Sequence, residues 1–134
     1  MEEFYMPISQ EKNYDAWLKK AEEDALSAKA VLKDGAPSVA CFLAQQTAEK
    51  YLKGLLVFYK KPFPKVHDLM ELETLLLDVE QGIKEVHNEI ESLNQYYVET
   101  RYPGDFPDFT LYECENAYNA ALRIKEFVLS KIKS

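Results

Sequence analysis

Apolar residues recur along this chain every three to four positions, with polar residues filling the intervals. That period is helical. No stretch alternates apolar and polar as a half-buried strand would, and only four glycines interrupt the pattern. The first helix is predicted from about Tyr14 to Lys33, capped by Asn13 and stopped by Gly35 and Pro37. The second runs from about Pro37 to Tyr59, and so short a link folds the two into an antiparallel hairpin. Pro62 and Pro64 then break the pattern, because they hold their preceding residues extended. A short third helix spans about Asp68 to Leu77. Asp78 and Gly82 punctuate before a fourth, roughly Ile83 to Thr100, with a stripe of Ile83, Val86, Ile90, Leu93 and Tyr97. After the loop RYPGDFPDF, Thr110 and Glu113 form a capping-box signature for a last helix reaching about Ile132. Cys114, Ala117, Ala121, Ile124 and Val128 share one face of it. The predicted architecture is an all-α, up-and-down bundle of four long helices and one short helix, a single domain over residues 1–134.

Composition narrows the classes of function. At 47% apolar, 134 residues bury an ordinary core without staples. No uncharged stretch approaches the roughly 20 residues that span a bilayer, and the acidic MEEFYMPISQ lacks the basic start of a signal peptide. A cytoplasmic protein with no membrane partner is expected. Cys41 and Cys114 sit among apolar neighbours with no CxxC or Cys/His companions, so they read as reduced core residues. A net charge of −7 repels a phosphate backbone at long range, so any nucleic-acid contact must come from a local basic site.

Three polar features interrupt apolar faces, where each must find a partner or cost stability. Asp24 falls within the apolar arc of the first helix, beside Trp17, Ala21, Ala28 and Val31. It is either a solvated carboxylate at the edge of the arc or one aimed at a cation across the bundle. In the second helix Gln45, Gln46, Glu49, Lys50 and Lys53 crowd one sector of about 140°, in line with Val39, Phe42, Leu56 and Val57. The plain alternative is a Glu49–Lys53 pair on an exposed face. Arg101 lies one turn beyond Tyr97, so a fourth helix that reached it would aim the guanidinium inward, at phosphate or at Asp24. His67 reads as a cap or packing residue and His87 as a surface or core-edge residue, and neither has a second metal ligand at suitable spacing.

AQQTAEKYLKGLL (44–56), HDL (67–69) and YYVETRYPGD (96–105), with the alanine-spaced run Ala21 to Ala28, together resemble the HEPN family. The resemblance implies a dimerising bundle of four or five helices. Many members are RNases or toxins, and others partner minimal nucleotidyltransferases in toxin–antitoxin pairs. Nuclease members carry Arg-x(4 to 6)-His. Arg101 matches the arginine, but positions 106 to 108 hold Phe106, Pro107 and Asp108, and no histidine follows His87. The general acid/base of that motif is therefore missing. The reading that results is a homodimeric nucleotide- or RNA-binding and interaction module, with a nucleotidyltransferase as its expected protein partner, and without catalytic residues, metal or other cofactor. Asp24, Gln46, Lys50, Lys53 and Arg101 would form its polar cleft. The alternative is a metal-independent RNase toxin using Arg101 with a non-standard base, His67 or Asp108. The polar residues merely pairing with one another is a third reading.

Overall fold

The computed structural model describes residues 13–97 and 108–133. It contains three long helices, α1 (Tyr14–Asp34), α2 (Pro37–Phe58) and α5 (Leu111–Lys133), and two short ones, α3 (Leu69–Leu77) and α4 (His87–Asn94). A 3-10 helix, Gln81–Val86, leads into α4, and the described residues form no strand. The all-α expectation holds, but the predicted fourth long helix does not: its first turn is 3-10 and its α-helix ends at Asn94. Ile83 and Val86 are three apart, the spacing of one 3-10 turn, so the apolar stripe is kept despite the change of geometry. Ile83, Val86, Ile90 and Leu93 are all buried.

Asn13 caps α1 by accepting from Ala16 N at 3.1 Å, and Pro37 opens α2 at its first turn, where a missing N–H costs nothing. The two-residue link folds α1 back on α2. Gly54 marks their closest approach, since a Cβ there would lie 3.1 Å from Leu18 and 3.2 Å from Trp17. α2 is the central element and packs against α1, α3, α4 and α5. Thr110 Oγ1 caps α5 through Glu113 N at 3.1 Å. The Glu113 carboxylate accepts from the Tyr96 hydroxyl at 3.3 Å. Glu22 ties three helices together, accepting from Tyr51 of α2 at 2.9 Å and Lys125 of α5 at 2.7 Å. The Lys125 bond leads in holding the Glu22 carboxyl below its usual range.

Cys41 of α2 and Cys114 of α5 are core residues, as expected, but they are joined in a disulfide rather than reduced. The helices bring their Cα atoms to 4.8 Å across 73 residues of sequence, a proximity that no local spacing could reveal.

α2 ends in a Schellman turn, with Lys61 N donating to Leu56 O at 2.9 Å and Lys60 N to Val57 O at 3.0 Å. The left-handed position is occupied by Lys60, at φ 58°, rather than glycine. Lys60→Gly is therefore expected to stabilise the fold by about 0.5–1 kcal/mol, the relief of left-handed strain less the extra chain entropy of glycine. Urea unfolding checks this; an unchanged or lower midpoint would contradict it.

Candidate functional site

The polar centre of α2 is buried rather than solvated. Gln45, Glu49 and Lys53 follow one another at i to i+4 spacing and are 0%, 4% and 6% exposed. Glu49 and Lys53 do pair, at 3.0 Å, but inside the protein rather than on an exposed face. The Glu49 carboxylate also meets His67 Nδ1 at 3.0 and 3.1 Å and accepts from Gln46 Nε2 at 3.3 Å. Gln46 Nε2 donates in addition to Gln45 Oε1 at 2.7 Å, and Gln45 Nε2 donates to the His67 carbonyl at 3.1 Å. A buried charge needs such a full set of partners, because desolvation alone costs several kcal/mol per ion.

The connection after α2 delivers His67 to this cluster. Pro62 and Pro64 keep it extended, and buried Phe63 anchors it to the core. Asp68, not His67, caps α3, accepting from Met70 N at 2.9 Å. His67 is instead held by its ring, which stacks on Tyr97 at 4.4 Å between centroids and 13° between planes. Since a carboxylate can only accept, Nδ1 is the donor to Glu49, and in the neutral ring Nε2 is left as an acceptor.

On the α1 side, Asp24 forms an ion pair with Lys50, both being partly buried. Beside them Ala16, Trp17, Lys20 and Lys50 line an open depression of about 320 Å³. Lys53 Nζ lies 5.8 Å from the centre of the Trp17 ring, which brings this depression up against the buried network. Trp17 Nε1 is buried and finds no hydrogen-bond partner among the described residues.

The five residues singled out in the sequence thus fall into two groups and one remainder. Asp24 and Lys50 meet each other; Gln46 and Lys53 both meet Glu49; Arg101 lies outside the described residues. Its expected aim rested on a helix running through Tyr97, and α4 stops at Asn94. The α2 polar island is covered by the chain's own α1 and by the connection carrying His67, so it does not by itself call for a second copy. Glu49 and His67, which the sequence reading weighed only as a member of the polar island and as a base for the alternative RNase, belong to the site, as do Trp17 and Tyr97, which it placed on apolar faces. The signal was present in the 45–49–53 spacing, which aims three polar groups at one place.

The other histidine repeats the arrangement. His87 Nδ1 lies 2.8 and 2.9 Å from the oxygens of Glu73, a buried carboxylate. The Glu73 hydrogen bond, then its charge, raises the His87 pKa above its ordinary value. A raised folded value means this contribution is fully present below about pH 6.5 and is lost as pH rises through the folded pKa. The stability gap between wild type and His87→Gln is expected to narrow as pH rises above about 6.5. Urea midpoints across that rise, with a nuclear magnetic resonance titration of His87, test it. A widening gap would contradict it. Among the described residues no three His, Cys, Asp or Glu side chains form a metal-holding group.

An all-helical bundle whose central helix carries a buried polar network closed by a histidine from the following connection defines the class of the protein. Its relatives supply the family: the HEPN domain model matches residues 14–132, and the chain belongs to the HEPN family. The crystal structure of TT1696 from Thermus thermophilus superposes with a TM-score of 0.74 at 30% identity, covering 89% of this chain and 98% of that one. ST0689, described as an archaeal HEPN homologue, superposes with a TM-score of 0.71 at 28% identity, covering 89% and 97%. Among curated proteins, none matches this sequence.

Proposed function

We propose that this chain is a nucleotide- or RNA-binding and interaction module that cleaves nothing itself and works as a homodimer, with a minimal nucleotidyltransferase as its protein partner. Family membership supports a nucleotide- or RNA-related role. The observation that carries the reading to this site is the Trp17 depression, which brings an aromatic ring together with Lys20 and Lys50. Aromatic rings stack on bases of any sequence, and lysines meet phosphate as point charges. Asp24 orients Lys50 without burying it, whereas Lys53 is neutralised by Glu49 and serves the network rather than the ligand. To Arg101, which lies outside the described residues, this reading assigns the planar fork that lysine lacks.

Arg101→Lys is therefore expected to weaken binding of mononucleotides and short RNA by about 1–3 kcal/mol, the range for a charge-assisted contact. Calorimetric titration of wild type and variant checks this, and equal affinities would contradict it. The second reading, a metal-independent RNase, is favoured by one observation: His67 is oriented by buried Glu49 as a general base would be. RNA cleavage by nuclease-free wild type that is abolished in His67→Ala would replace the first reading with the second.

A further inference from the structure

The region beyond Glu49 has a chemistry that the network does not need for its own stability. His67, Asp68, Asn94 and Tyr97 line an open depression of about 370 Å³ where α2's connection enters α3. Its floor is flat and fixed. The His67 ring lies on Tyr97, Tyr97 packs on Phe42 at 6.2 Å, and Glu49 and Gln45 hold His67 by its ring nitrogen and its carbonyl. Half of the His67 side chain remains exposed.

Its rim is directional. Asp68 Oδ1 accepts from Met70 N at 2.9 Å and from Asn94 Nδ2 at 3.0 Å, which leaves Oδ2 without a partner among the described residues. Asn94 Oδ1 accepts from Leu69 N at 2.8 Å, so the amide cannot flip without losing that bond. The second hydrogen of Asn94 Nδ2 is therefore presented next to the carboxylate. One carboxylate acceptor stands beside one amide donor in a depression that the stacked aromatic pair also lines.

Resting on the nucleotide- or RNA-binding reading above, we propose that this depression is a nucleobase subsite selective for guanine. The base extends the His67–Tyr97 stack, as unpaired bases do on aromatic side chains. Its ring N–H and its 2-amino group both donate to the Asp68 carboxylate, and Asn94 donates to its carbonyl oxygen. Adenine offers that carboxylate a single donor and turns a ring lone pair toward the same side. Two donors on an ionised acceptor make the stronger contact.

The test is calorimetric titration of the full chain with guanosine, inosine and adenosine monophosphates and with inorganic phosphate. Guanosine monophosphate is expected to bind about tenfold more tightly than adenosine monophosphate, with inosine monophosphate, which lacks the 2-amino group, between them. Asp68→Asn keeps an N-cap residue on α3 while removing the charge, and is expected to abolish the preference. Lys50→Ala, at the separate Trp17 depression, is expected to leave the ratio of the three affinities unchanged. Equal affinities for the three nucleotides in wild type, or an unchanged ratio in folded Asp68→Asn, overturns the guanine subsite and leaves the parent reading standing. The wild-type series decides the matter even if the variant does not fold. Failure of every nucleotide and of short RNA to bind, or binding no tighter than inorganic phosphate, overturns both.

Discussion

Glu49→Ala is expected to destabilise the protein by about 3–5 kcal/mol, because it strands Lys53 as a charge inside the fold. Lys53 is 6% exposed, and Glu49 is its anionic partner among the described residues. The same substitution releases the His67 ring and the Gln46 amide. Replacing both members of the pair tests whether the cost belongs to the stranded charge or to the cavity. Glu49→Gln with Lys53→Met, which keeps volume and removes both charges, is expected to recover most of the loss. Urea unfolding of the single and double variants gives the comparison. A single variant within 1 kcal/mol of wild type, on the order of a surface substitution, would mean that Lys53 turns to solvent at little cost.

Loss of the disulfide is the other large effect. Cys41→Ala with Cys114→Ala is expected to cost about 2–4 kcal/mol, since the bond closes a long loop and constrains the unfolded chain. The two half-cystines lie in the core with 0% exposure, so the alanine pair also leaves a small void between α2 and α5. Mass spectrometry under non-reducing conditions first establishes the bond, as a chain two hydrogen masses lighter that takes up thiol reagent only after reduction. Two free thiols in the native protein, or an unchanged unfolding midpoint in the double variant, would contradict the assignment.

Helix positions and the core were legible in the sequence wherever local signals agreed with packing. Asn13, Pro37 and Thr110 all stand where caps or first turns were read, and the last helix's stripe from Cys114 to Val128 is buried throughout. The fourth helix was misread at its start, which is 3-10, and at its end, since the α-helix stops at Asn94, whose side chain meets Leu69 N and Asp68 at the start of α3. The disulfide failed because two cysteines 73 residues apart carry no pairing information of their own.

The candidate site was half legible. That the middle of α2 is a polar island followed from periodicity, and the pairing of Asp24 with a cation across the bundle was one of the two outcomes weighed. What closes the island was not legible, because His67 arrives from a non-helical connection and is fixed by a stack with Tyr97, 30 residues further along. Such contacts depend on how three elements meet, and no wheel or spacing contains that. The same limit applied to Lys53: its helical position was read correctly, but its burial against Trp17 and Phe63 depends on α1 and on the connection after α2.

The proposal most directly open to test is that this HEPN chain binds nucleotide or RNA at the α1–α2 polar site without cleaving it. Trp17 is the chain's single tryptophan and lines that site, so its fluorescence reports occupancy directly. Titrating nuclease-free protein with a short single-stranded RNA, then recovering the RNA and sizing it, tests both halves of the claim in one sample. The expected result is a saturable change in Trp17 emission, weakened in Lys50→Ala, with the RNA recovered intact. No change in emission at any RNA concentration, or RNA shortened by wild type but not by His67→Ala, would contradict the account.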